Sequence, residues 1–373
     1  TYDLSLVDPW IKGDKYRTSF KTNIFLSRDF PRVFRSESNG RFYGISDFYK
    51  ASGDSIASEI TGSYSSVDAA KAADPNSSWF DYEGASIVLE NIGGGFSFSR
   101  SLNEGDPFKS SPWRVSAGMN FKRVRIIDAA GRERPYATAA SKTTTRNVNE
   151  IICVGYEAKD GSCPSINRLV SFTTSASRNK LNNSVNPTSG DILRFGSEQF
   201  ISVGNNSPNF NKMYTTYAWF IPSKLIKLTK GCKSEDADAI SCPQTLGFQL
   251  KTATIVGELP PYEAFCLGGQ SSVRGWGSCE LGVSKSYAEA TMEYRFPVWR
   301  MISGAFFADA GSDLGTQDDV PGKPGKLLKK VGSGYSLGAG VGVKTPVGPL
   351  RLDAATQDLS GKMRYTLGVG WKF

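Results

Sequence analysis

Apolar residues alternate with small or polar ones along most of this chain. A period of two is the mark of β-strands that present one face to an apolar phase and the other to a polar one. In the final stretch, YTLGVGWKF, alternation predicts Tyr365, Leu367, Val369, Trp371 and Phe373 on the lipid side, with Thr366, Gly368, Gly370 and Lys372 facing inward. Tyr335, Leu337, Ala339, Val341 and Val343 alternate with Ser336, Gly338, Gly340, Gly342 and Lys344; after TPVGP, Leu350, Leu352 and Ala354 alternate with Arg351 and Asp353. The same holds for Ala288–Phe296, whose other face carries Glu289, Thr291, Glu293 and Arg295, and for Trp113–Phe121. Thirteen such runs predict strands over 1–9, 16–28, 88–102, 112–127, 167–181, 191–203, 211–222, 244–256, 284–296, 301–311, 333–345, 348–357 and 363–373.

A soluble β-sandwich would expose the charged faces to bulk water, whereas a transmembrane barrel would line a wet lumen with them. Unbroken apolar faces with Tyr and Trp near strand ends favour the barrel. Connections are expected to alternate between short turns and long loops near 29–87, 128–166, 257–283 and 312–332, the first read as a solvated loop or insertion. Thirteen is odd, while single-chain bacterial barrels have even counts. The chain opens on Thr1 inside a strand pattern, so strands are expected upstream.

Composition adds limits. A mean hydropathy of −0.31 with 39% hydrophobic residues leaves no run long enough for a membrane helix, and a barrel needs none. The absence of His excludes a Ser-His-Asp or Cys-His centre and a His-ligated zinc site. Glu293 with Asp309 is the sole carboxylate pair worth weighing for acid-base work, and no enzyme, cofactor, metal or nucleic-acid partner is expected. The net charge of +8 separates no function class. Six cysteines fall into local pairs, Cys153 with Cys163, Cys232 with Cys242 and Cys266 with Cys279, and local closure in an oxidising compartment is the simplest of the fifteen connectivities.

The segment GGQSSVRGW at 268–276 resembles the signature of the outer-membrane-protein-85 superfamily. It is joined by LPPYEAFCLGG before it and by EYRFP, FFADAGSDLG, GYSLGAGVGVKTPVGPLRLD and the aromatic end after it. Weaker likeness extends to TYDLSLVDPW and NPTSG, and the details look most like the cyanobacterial and plastid branch. The resemblance implies a sixteen-stranded barrel preceded by POTRA domains, of which 1–373 would be a single, N-terminally incomplete barrel domain lacking about three strands. It also implies that the loop carrying Gly268, Gly269, Val273, Arg274, Gly275 and Trp276 folds into the lumen, where Arg274 reaches Glu293 and Asp309. Both carboxylates face inward by alternation alone.

The function implied is assembly and insertion of β-barrel proteins into an outer membrane, with the plastid-type preprotein channel as alternative and a passive porin as a weaker one. Expected partners are unfolded outer-membrane clients or preproteins, the bilayer, and periplasmic chaperones or accessory subunits. The expected location is a cyanobacterial outer membrane or a plastid outer envelope.

Overall fold

The computed structural model describes residues 1–36, 41–45, 87–103, 111–128, 131–133, 135–141, 146–233, 242–345, 348–359 and 361–373. In chain order the strands are β1 (Tyr2–Asp8), β2 (Ser19–Asp29), β3 (Arg41–Ile45), β4 (Val88–Ser101), β5 (Trp113–Ile127), β6 (Tyr136–Ser141), β7 (Arg146–Cys153), β8 (Ile166–Asn179) and β9 (Gly190–Ile201). They continue as β10 (Phe210–Pro222), β11 (Thr245–Gly257), β12 (Phe265–Leu267), β13 (Gly282–Ser284), β14 (Ser286–Trp299), β15 (Ile302–Ser312), β16 (Ser333–Val343), β17 (Leu350–Gln357) and β18 (Met363–Val369). Two single-turn helices, α1 (Lys230–Lys233) and α2 (Pro324–Leu327), lie in connections.

Thirteen strands form one antiparallel sheet in the order β1-β2-β4-β5-β8-β9-β10-β11-β14-β15-β16-β17-β18. They are the thirteen that alternation predicts. Each pairs with its sequence neighbour in the sheet, so the wall is a meander whose edges are β1 and β18. The sheet is strongly curved. Glu263 reaches Lys122 of β5 and Lys212 of β10, three strands apart, and the Phe373 ring packs on Phe220 of β10, six strands from β18. The fold is therefore the all-β barrel wall expected, with an inward-folded loop.

The even-numbered face of β14 and β15 and the odd face of β16 and β18 carry exposed apolar side chains, among them Met292, Phe306, Tyr335, Leu337, Val341, Tyr365, Leu367 and Val369. The opposite face is polar yet buried: Glu289, Thr291, Glu293, Arg295, Asp309, Ser336, Arg351 and Asp353. What buries it is the chain's own loops, which turn into the lumen. At the loop end, Val33, Phe34, Ile87, Ile152, Val154, Val283, Val320 and Leu328 pack on the wall residues Val124, Ile126, Leu169, Phe200, Phe210 and Ile255 as a dry core. Fully burying each such side chain stabilises the assembly by roughly 1.5–3 kcal/mol.

Three expectations need correction. The start of the 29–87 connection is not a solvated loop, because Val33 and Phe34 are buried in that core and β3 pairs with β6 in a three-stranded sheet with β7; residues 46–86 lie outside the described residues. Short and long connections do not alternate strictly. The 223–244 connection is long although it sits at the end of the short turns, and it is closed by a disulfide. The 202–209 connection is short at the other end. Finally, the last strand stops at Val369. Gly370 has φ +85, a left-handed conformation, and the chain after it leaves the strand, so Trp371 and Phe373 do not face lipid. Both rings instead lie under the Arg295 guanidinium, at 4.7 and 5.0 Å.

Candidate functional site

The connection between β11 and β14 enters the lumen as a stapled hairpin. Its two limbs pair as β12 and β13, with Cys266 opposite Val283, and a Cys266–Cys279 disulfide closes the base. The loop between them is compact: Gly269 N–H donates to Val273 O at 3.3 Å, Ser272 N–H to Gly269 O at 3.1 Å, and Gly268 N–H to Ser272 Oγ at 2.8 Å. Glycine is required at 268, where φ is +100 and a Cβ would stand 2.6 Å from Gly277 O. It is required again at 275, where φ is +91 and a Cβ would meet Ser336 Cβ at 3.2 Å and Thr356 O at 3.3 Å. The backbone thus lies directly against the inner faces of β16 and β17. Gly269 has φ +107.

Val273 and Trp276 are the loop's apolar feet. Val273 packs with Leu267, Trp276 and Leu281 in a small buried cluster, and Trp276 Nε1 donates to Tyr335 O at 3.2 Å. Between them Arg274 is fully buried. Its Nε donates to Asp309 Oδ2 at 2.8 Å and its Nη2 to Asp309 Oδ1 at 3.0 Å, a two-pronged pair, while Nη1 donates to Glu293 Oε2 at 2.6 Å. The Arg274 backbone N–H also donates to Asp309 Oδ2 at 3.0 Å. The guanidinium carbon sits 3.4 Å from the Phe307 ring centroid. A planar fork matches this arrangement and an ammonium would not, since one point charge cannot span both carboxylates along fixed N–H directions.

Around this pair the structure gathers residues that sequence reasoning did not single out as partners. Asp353 Oδ2 lies 3.5 Å from Arg274 Nη1 and 2.9 Å from Arg351 Nε. Arg295 Nε donates to Glu293 Oε1 at 2.7 Å and its Nη2 to Phe373 O at 2.8 Å. Lys372 Nζ pairs with Asp309 Oδ1 at 3.0 Å, donates to Thr291 Oγ1 at 2.8 Å, and donates to Ser272 O. Ser272 Oγ in turn donates to Glu289. Four cations (Arg274, Arg295, Arg351, Lys372) thus meet four carboxylates (Glu289, Glu293, Asp309, Asp353), all buried. Balanced charge is what such burial demands, because an uncompensated ion there would cost several kcal/mol. Alternation had put Glu289, Arg295, Arg351, Asp353 and Lys372 on the inner face; what sequence lacked was their distance from Arg274.

A second anchor holds the loop's ascending limb. Glu263, in a 3-10 turn over Pro261–Glu263, accepts from Lys122 Nζ at 2.8 Å and from Lys212 Nζ, and Tyr262 Oη donates to Asn167 Oδ1 at 3.1 Å. Burial alone would raise the Glu263 pKa, but the two ammonium groups outweigh it and hold it down at about 2. The loop is therefore pinned to β5, β8 and β10 on one wall and to β14–β17 on the other. Its tip also touches β18: the Gln270 side chain occupies the space a Cβ at Gly368 would fill.

The remaining cysteines are joined as Cys153–Cys163 and Cys232–Cys242. Tyr365, Leu367 and Val369 stand exposed on the outer face of β18.

Residues 1–373 match the Omp85 superfamily domain over their full length. Outer envelope protein 80, chloroplastic, of Arabidopsis thaliana is 41% identical over 128 residues, covering 34% of this chain and 17% of that protein. Protein TOC75, chloroplastic, of Oryza sativa subsp. japonica is 32% identical over 219 residues, covering 55% of this chain and 26% of that protein. The chain thus spans about a quarter or less of these relatives' length. Among solved structures, BamA from Haemophilus ducreyi lacking POTRA domains 1-3 has the same fold, with a TM-score of 0.56 at 13% identity, over 99% of this chain and 61% of that one. With the whole chain matched and the barrel wall and inward loop in place, this chain belongs to the Omp85 superfamily of outer-membrane and envelope barrels.

Proposed function

We propose that this chain is the membrane barrel of a protein-conducting pore of the plastid-type branch, handling preproteins, with insertion of β-barrel clients as the second reading. The observation that carries a polypeptide-handling role is the lumen loop seated on the Arg274 cluster. A loop anchored to two walls fills lumen that a passive porin keeps as a water-filled channel, and it gives a channel for unfolded chains a fixed feature against which the wall can move. Removing one member of a buried ion pair costs about 3–5 kcal/mol. In this reading the loop stays seated, and the path opens at the β18 edge or beside the loop. The relatives that favour the plastid branch are chloroplastic proteins, one of them an outer envelope protein.

Barrel insertion is favoured by a different observation. Among the described residues the β18 edge has no partner beyond β17, and an open edge offers main-chain donors and acceptors to an incoming strand. POTRA domains, about three further strands, and chaperones or accessory subunits belong to the same reading. Depleting the protein in its host separates the two. Stalled precursors with intact outer-membrane barrels support translocation; broad loss of barrels transfers the assignment to insertion, and neither effect would defeat both.

A further inference from the structure

The end of the barrel that carries the short turns is built differently from an ordinary aromatic girdle. Residues 223–233 leave β10 and run outside the wall. Leu225 N–H donates to Tyr294 Oη at 3.2 Å, and Tyr294 is on the outer, apolar face of β14. Ile226 N–H donates to Gln244 Oε1 at 3.1 Å, and Gln244 Nε2 returns a bond to Ile226 O. The buried Cys232–Cys242 disulfide rests on Gln244 Nε2, 3.3 and 3.0 Å from its two sulfurs, so the segment is fastened at both ends.

Held there, the segment exposes what a water-facing loop avoids. Leu225 is 76% exposed and Leu228 53%, next to Ile221 at 48% on the outer face of β10. Lysines interleave them: Lys224, Lys227, Lys230 and Lys233, with no acid between 223 and 233. Glu235, Asp236 and Asp238 follow and lie outside the described residues.

Other connections at this end repeat the chemistry. Arg17 lies 4.7 Å over the Trp10 ring, Arg100 4.9 Å over Tyr16, Arg178 5.9 Å over Trp113 and Arg300 5.3 Å over Trp299. Each pair stands at a strand end or turn on the same side of the sheet. A rim of aromatic rings capped by arginine suits the headgroup layer, where rings sit at the apolar boundary and cations meet phosphate.

We infer that the turn end of this barrel binds anionic lipid headgroups, with Leu225 and Leu228 inserted among acyl chains and Lys227, Lys230 and Lys233 on the headgroup charges. The occupant is lipid because the segment is continuous with the lipid-facing wall and lies against its outer surface at Tyr294. Exposed leucines there meet hydrocarbon, and lysine stems extend past them to the polar layer.

Native mass spectrometry of the full-length protein, with phosphatidylglycerol and phosphatidylcholine as probes, tests the charge. Wild type is expected to retain phosphatidylglycerol preferentially, and K227Q/K230Q/K233Q to bind it about tenfold more weakly with phosphatidylcholine unchanged. Equal retention of both lipids by wild type, or an unaltered preference in the variant, overturns the proposal. In nanodiscs, the added emission of L228W should be quenched by acyl-brominated lipid. Absence of quenching, as a protein partner covering the segment would produce, also overturns it.

Discussion

Arg274 does its work through geometry as much as through charge. Arg274→Ala leaves Glu293 and Asp309 facing each other without their shared cation, and a loss of about 3–5 kcal/mol of loop anchorage is expected. Arg274→Lys restores charge without the fork and should recover only part of it; protease nicking of residues 258–285 in the folded barrel measures both, and full protection in Arg274→Ala would contradict the latch. Glu263 makes a separable prediction. Its pKa is held at about 2, below the ordinary 4.5, so its contribution is fully present above about pH 4.5 and is lost as pH falls toward 2. Protection of the Tyr262–Phe265 amides, taken relative to the intrinsic exchange rate at each pH, should therefore fall between pH 4.5 and 2 in wild type, whereas Glu263→Gln should be weakly protected already at neutral pH. The inward direction of Glu293 and Asp309 was readable from strand alternation. The roles of Asp353, Arg295 and Lys372 were not, because they depend on how far the sheet curves and where the chain turns after Val369.

At the scale of elements, two devices position the loop. The Cys266–Cys279 link closes a hairpin of sequence separation 13, for which the chain-entropy account gives roughly 3 kcal/mol. The double variant Cys266→Ser/Cys279→Ser should lower the midpoint of chemical unfolding and expose the loop's base to protease, while Cys232→Ser/Cys242→Ser, which lies against Gln244 in another connection, should leave loop protection unchanged. The second device is the turn at Gly370. A β-branched residue at φ +85 is strained by about 1–2 kcal/mol. Gly370→Val is thus expected to draw Lys372 away from Asp309 and Thr291, read as faster modification of Lys372 by an amine reagent; an unchanged rate would show that the packing of Trp371 and Phe373 on Arg295 suffices without the turn. A strand reading of 363–373 runs past this point because alternation continues through Trp371 and Phe373, and only the left-handed glycine breaks it.

For the whole molecule, the wall and its filling have different origins. All thirteen strands were legible in the chain, as were both faces of β5, β14, β16, β17 and, up to Val369, β18, because a strand between lipid and lumen must alternate whatever its neighbours do. The local cysteine pairs and the likeness at 268–276 were legible too, since each is a short-range pattern. The lumen filling was not. Val33 and Phe34 reach the core from a connection rich in polar residues, and the lysines of 223–233 acquire meaning only once Tyr294 and Gln244 hold them outside the wall. Within the strands, sequence by itself determined which residues face which phase, because the period of a strand is local; past Val369, where the strand ends, it did not. The tertiary structure alone decided that Arg274, Glu293, Asp309, Asp353 and Lys372 share one buried cluster, because charges separated by up to 98 residues meet only when the wall curves and the loop and the last turn enter the same lumen.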